Sequence, residues 1–273
     1  IPKRDWSSDV CSSDLDVTDG LHPRHTEWLD TFPAPRYVMN YESAELSKIA
    51  INLLLAASVS TTNSVAELAR SLGASWDDIV LTLRSDRRIG SHAYLTPGLG
   101  LSGGNIERDL ATFLHLAGGG QADSSVIEAF VRSSKHHRDW VLRQLATMKL
   151  PSRAVVALLG IAYKADTAST KNSPALRVID TLVDCVIRVH DPRAVVDERH
   201  PRVQQTENWR DAVTGADCLI VMTPWAEYTS INVEEIFKLM RGTTIIDPYR
   251  VLSTMDWRAA GCDYRSLREA GIT

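Results

Sequence analysis

Apolar residues recur at helical spacing from Ser43 to Gly73, in "SAELSKIAINLLLAASVSTTNSVAELARSLG". That period predicts one long helix, stopped by Gly73. Its middle is apolar on more than one face, the pattern of a helix buried in a domain or in a subunit interface. A second helix fits "SWDDIVLTLRSD", with Ser75 as N-cap and Asp77 and Asp78 complementing the dipole in the first turn. Residues 86–104 are rich in Gly and Pro and predict a loop. Two further helices are expected over about residues 105–117 and 124–148, divided by "GGGQAD".

At Pro151 the pattern changes. "AVVALLG" is a continuous apolar run, as expected of a strand buried on both faces. "VIRVHD", "DCLIVMT" and "TTIIDP" are further strands, and "SPALRVIDTLVD" reads as a helix with Pro174 in its first turn. Strand and helix in alternation imply a parallel sheet with right-handed crossovers. The expected fold class is α/β: an all-helical domain over residues 41–150, then a small doubly wound parallel α/β domain over residues 151–273. Residues 16–40 carry three prolines and predict an irregular stretch. Within residues 1–15, "DWSSDVCSSDL" has no apolar period, and its back-translation resembles a sequencing adapter. Residues 1–15 are therefore expected to stand outside the fold, with the natural start upstream.

Composition narrows the picture. A chain of 273 residues with 44% hydrophobic content is enough for one large or two ordinary domains. A net charge of −4 gives no reason to expect nucleic acid or an anionic membrane as partner. The longest apolar run, "IAINLLLAASV", falls short of the ~20 residues of a membrane helix, and Asn52 interrupts it. Beyond residue 15 the cysteines are Cys185, Cys218 and Cys262, at spacings that suggest neither a disulfide framework nor a zinc site. A reducing cytoplasm is the simplest fit.

Gly98, Gly100 and Gly103 match G-x-G-x-x-G, with Asp123 beyond them. A dinucleotide fingerprint needs a strand immediately before it and another about thirty residues on. Here "HAYLTP" precedes it and only helix follows. The glycines are instead expected to let the loop backbone pass close to another chain segment or to a ligand.

Four stretches carry a resemblance to one family. "AELSKIAINLLLA" is similar to the central-helix motif of the UDP-glucose/GDP-mannose dehydrogenase family. "RIGSHAYLTPGLGLSGGNIERD" resembles its substrate loop, "GIAYKADTASTKNSPAL" the opening of its C-terminal domain, and "TPWAEY" with "IIDPYRVL" that domain's closing strands. The resemblance implies a middle domain that forms a homodimer and a Rossmann-like C-terminal domain that binds a nucleotide sugar, UDP in most members. It also implies NAD, held by an N-terminal domain that this chain lacks.

The resemblance assigns roles position by position. Lys48 and Asn52 match residues placed near the reacting sugar carbon, four apart and so on one helix face. An ammonium and an amide side by side stabilise an oxyanion; the plain alternative is a solvated Lys and a packing amide. Asp109 matches a carboxylate with a general acid/base role, and by its position is also a helix acid complementing the dipole. Arg88 matches an Arg reaching the substrate from the neighbouring subunit. Tyr94, Gly100 and Gly103 lie in the substrate loop, and Lys164 and Arg250 match cations suited to a diphosphate or sugar hydroxyls.

One departure stands out. The family oxidises an alcohol to an acid in two steps through a thioester on a Cys four residues before the Asp. Counting back from Asp109 gives Asn105, and aligning on the paired glycines gives Ile106. Neither is Cys, and Asn forms no thioester. The family's adjacent Lys is here Arg108. Asn105 is expected to N-cap the following helix. Two expectations follow: an NAD-dependent oxidoreductase of nucleotide sugars that stops after one oxidation in the complete protein, or a homologue that binds nucleotide sugar without turnover.

Overall fold

The computed structural model describes residues 23–33, 37–120, 122–148, 150–198, 200–252, 257 and 261–268. The adapter-like segment lies outside them. The stretch expected to be irregular contains a short helix, α1 (Pro23–Leu29), which opens on its proline.

The long helix is α2 (Tyr41–Ser71), and it starts two residues before the expected Ser43 because Asn40 caps it by accepting from the Ser43 amide. α3 (Trp76–Ser85) is capped by Ser75, whose side chain accepts from the Asp78 amide, as expected. After the loop come α4 (Asn105–Ala117), α5 (Ser125–Arg138) and α6 (Trp140–Ala146). The single helix expected over 124–148 is therefore two. They break at Asp139, whose carboxylate holds Arg177 through Nε at 2.5 Å and Nη2 at 3.1 Å. The break lets Trp140, Val141 and Leu145 enter the core of the sheet domain.

That domain runs β1 (Val155–Leu159), α7 (Pro174–Thr181), β2 (Val186–His190), β3 (Gln204–Gln205), α8 (Trp209–Val213), β4 (Cys218–Val221), α9 (Val233–Leu239), β5 (Thr244–Ile246) and β6 (Asp263–Arg265). All six strands pair in parallel, in the order β3-β2-β1-β4-β5-β6. This is the strand order of a doubly wound nucleotide-binding sheet. Central β1 and β4 are almost wholly buried, matching their unbroken apolar runs. β3 and β6 are too short and polar to announce themselves by periodicity.

α2 packs against α4 and α5 around a second core of Ala56, Leu101, Leu110 and Ile127. By length and composition α2 is apolar enough to cross a membrane, although its longest unbroken apolar run is short. Its buried side includes Asn52, Ser60, Thr62 and Asn63, the composition of a helix packed on protein rather than on lipid.

Candidate functional site

The centre of the site joins α2 to α4. Asn52, 5% exposed, donates from Nδ2 to Asp109 Oδ2 at 2.5 Å, and Asp109 is 4% exposed. The other Asp109 oxygen accepts from Arg108 Nε and faces its Nη2, both at 3.0 Å. Arg108 itself is largely in solvent. Lys48 lies one turn before Asn52, half-buried, and makes no ion pair among the described residues. Asn105 lies one turn before Asp109, exposed on the opening turn of α4. Here the structure corrects the sequence reading: Gly104, not Asn105, occupies the cap position, and Asn105 is the first helical residue. Gly103 (φ +95°) turns the chain sharply enough for the helix to begin one residue earlier, at Asn105.

The loop before α4 is held by side chains of the long helix and of α5. Asn63 Oδ1 accepts from the Gly98 amide at 2.8 Å, Ser134 Oγ from the Leu101 amide at 2.9 Å, and Thr62 Oγ1 donates to the Tyr94 carbonyl at 2.9 Å. The Tyr94 ring is exposed. Gly100 (φ +74°) passes over the Ser134 backbone so closely that a Cβ would strike its carbonyl. A Cβ on Gly103 would lie 2.7 Å from the Tyr163 ring, and one on Gly98 would lie 3.3 Å from Tyr249. The expectation of close approach is met by protein: the loop is threaded between the two domains.

Lys164 follows Tyr163 and stands exposed with its ammonium 5.8 Å from that ring, at the end of the glycine loop. Arg250, with φ +57°, reaches back to the helical domain and pairs with Asp77 Oδ2 at 3.2 Å. Arg88 does not join the cluster: its guanidinium, 89% exposed, pairs with neighbouring Asp86 at 2.6 Å. Sequence reasoning missed one of the residues that fasten the domains together. Glu107 accepts from Arg138 Nη2 at 2.5 Å and from Asn172 Nδ2, while Asn172 also donates to the Gly103 carbonyl at 3.0 Å and Arg138 to the Leu101 carbonyl at 3.1 Å. Only pairing across the fold gives Glu107 meaning. Asn63 did leave a signal, for buried Asn52, Ala56, Ser60 and Asn63 form one stripe along α2.

The sheet's own switch point, between β1 and β4, is closed. Asp191 Oδ2 accepts from the Ile161 and Ala162 amides at 2.7 and 3.0 Å and from Trp225 Nε1 at 3.2 Å. Its Oδ1 takes the Arg193 and Ala194 amides at 2.9 and 2.7 Å. Amides that a phosphate would need are already satisfied by a carboxylate. Together with the filled glycine clearances, this means the described residues do not fit NAD: no cradle for a dinucleotide diphosphate stands among them.

The described cysteines are free. Burial pushes the thiols of Cys218 and Cys262 up to about 12 and raises that of Cys185, so none is poised as a nucleophile.

Residues 42–136 match the central domain of the UDP-glucose/GDP-mannose dehydrogenase family, and residues 157–254 match its UDP binding domain. The chain belongs to this family. UDP-glucose 6-dehydrogenase YwqF of Bacillus subtilis is 26% identical over 247 residues, covering 88% of this chain and 56% of that protein. UDP-glucose 6-dehydrogenase AglM of Haloferax volcanii is 30% identical over 228 residues, covering 82% of this chain and 51% of its own length. Among solved structures, a UDP-D-ManNAc dehydrogenase from Pyrococcus horikoshii superposes with a TM-score of 0.74 at 25% identity, over 91% of this chain and 58% of that one. A UDP-glucose dehydrogenase from Pyrobaculum islandicum gives 0.74 at 25% identity, over 90% and 56%. The chain thus spans about half the length of the curated relatives it matches.

Proposed function

We propose that this chain is the substrate-holding and proton-handling part of a nucleotide-sugar dehydrogenase, with a UDP-sugar as substrate. The observation that carries the reading is the buried Asn52–Asp109 pair, flanked by Lys48 and Asn105 one turn away on each helix. Asp109 fixes the orientation of the Asn52 amide. The Lys48 ammonium and that amide stabilise negative charge on a sugar oxygen, and Asp109 accepts or returns a proton. Lys164 and Arg250 offer charge to the diphosphate where the two domains meet. NAD, the acceptor used in this family, would be held outside the described residues. With Asn105 where a thiolate is needed, no thioester forms and oxidation stops after one step.

The same Asn105 favours a second reading, a homologue that binds nucleotide sugar without turnover. A homodimer through the helical domain is supported by exposed Leu46, Leu54 and Leu68 on α2 and Leu72 at its C-cap. Unpaired Cys185, Cys218 and Cys262, the cysteines among the described residues, suit a cytoplasmic setting. The test is calorimetric titration of the chain with UDP-glucose, UDP and GDP-mannose. Saturable UDP-sugar binding, weakened by Lys164→Ala and Arg250→Ala, supports the proposal. Absence of binding at millimolar ligand overturns it.

A further inference from the structure

Glu67 on α2 and the neighbours His136 and His137 at the end of α5 bring three ligand atoms within 4.8 Å of one another. Glu67 Oε2 stands 2.9 Å from His136 Nε2 and 3.4 Å from His137 Nε2. A tetrahedral zinc ion with ligands at about 2.0–2.1 Å separates its ligand atoms by about 3.3 Å. The His137 edge already has that spacing, and the His136 edge needs to open by only a few tenths of an ångström.

His137 is the anchor. It is 3% exposed, and its Nδ1 bonds the Ser133 carbonyl at 2.8 Å. A carbonyl accepts only, so the proton sits on Nδ1 and the lone pair on Nε2. That Nε2 is buried, has no hydrogen-bond partner, and aims at Glu67. A backbone carbonyl behind one ring nitrogen with the other nitrogen free is the supporting arrangement of a metal-binding imidazole. Among the described residues the cation beside the cluster is Arg143, whose Nη2 lies 3.2 Å from His136 Nε2 and 3.7 Å from Glu67 Oε1. It is 38% exposed and has solvent to move into.

We propose that Glu67, His136 and His137 form a zinc site that braces α2 to α5, with a solvent molecule as fourth ligand and with Arg143 guarding the open side of the metal-free chain. This brace is independent of the proposed dehydrogenase chemistry, yet it lies close to the substrate loop. Glu67 is one turn beyond Asn63, which holds the Gly98 amide, and His137 is one turn beyond Ser134, which holds the Leu101 amide. Occupancy therefore stiffens the two helices on which the loop hangs.

The experiment uses the full 273-residue chain, stripped with chelator and titrated with zinc chloride by calorimetry, with thermal unfolding and zinc-edge X-ray absorption on the product. One zinc per chain, N/O ligation and a raised Tm are expected. His137→Gln and Glu67→Gln should each weaken binding by more than about 100-fold. Arg143→Gln should tighten it about tenfold, since it removes a like charge. The Glu67 variant, at a half-buried surface position, guards against misfolding of the His137 variant. Failure to bind zinc at about 100 μM, binding that survives His136→Gln/His137→Gln together, or weaker binding in Arg143→Gln would each overturn the proposal.

Discussion

The Asn52 amide donates to the Asp109 carboxylate at 2.5 Å, joining the middle of α2 to the second turn of α4 across 57 residues. Both side chains are buried, so removing either strands the other away from water. Asn52→Ala is expected to cost about 1–3 kcal/mol of stability in urea unfolding. Asp109→Ala should cost a similar amount, and the double variant less than the sum. Strict additivity would show that the two do not act as a unit.

Two glycines with nearly the same backbone separate conformation from crowding. Gly73 (φ +71°) has open space where a Cβ would stand, while Gly100 (φ +74°) has the Ser134 backbone there. Gly73→Ala should cost about 1 kcal/mol for the left-handed backbone alone. Gly100→Ala should cost about 1–3 kcal/mol more, because the loop must lift off α5. Equal losses for the two variants would contradict the threading of the loop.

Glu107 links Arg138 of the helical domain to Asn172 of the sheet domain. Glu107→Ala is predicted to speed amide exchange in residues 98–104 and 164–172 by about tenfold or more, in line with losing charged hydrogen bonds. Exchange in β1 and β4 should not change. Unchanged protection in both loops would mean that the clamp is ornamental.

Burial holds the His190 pKa below the ordinary 6.5, against the opposing pull of Glu227 and Asp191. The folded chain thus binds fewer protons than the unfolded chain just below that value. Stability from this group is complete above pH 6.5 and falls as pH drops through it toward the folded pKa. His190→Asn preserves a donor toward Tyr228, which His190 Nδ1 meets at 3.0 Å. It should flatten that part of the stability-versus-pH curve. A curve of unchanged slope would assign the acid sensitivity elsewhere.

Residue-by-residue mass spectrometry after iodoacetamide treatment at neutral pH should find Cys218 and Cys262 unmodified in the native chain, since burial suppresses both thiolates. Rapid labelling of either would place it outside the core.

Much of this architecture is written in local pattern. The 3.6-residue period of α2, the cap at Ser75 and the unbroken apolar runs of β1 and β4 each follow from neighbours along the chain. Motif resemblance singled out Lys48, Asn52 and Asp109, and the fold brings Asn52 and Asp109 into contact. What escaped detection depends on distant partners. Asp139, where the helix breaks, finds its partner in Arg177, thirty-eight residues on. β3 and β6 exist because a neighbouring strand offers its edge. Glu107 reads as one more acid in a first turn until Asn172 arrives beside it. The cap failed at Asn105 for a local reason, the left-handed Gly103.

The contact that carries Arg250 to Asp77 spans 173 residues, and Arg268 reaches the same carboxylate across 191. Closing loops of that length costs chain entropy before any contact compensates. The helices and the central strands therefore assemble first, and the seating of Tyr249 and Arg250 against the glycine loop comes last. During synthesis the helical domain must wait, its loop uncovered, until the segment that carries Arg250 and Arg268 has left the ribosome. Covering of the glycine loop is then a late event in folding, and damage to β6 would unseat a loop more than a hundred residues upstream.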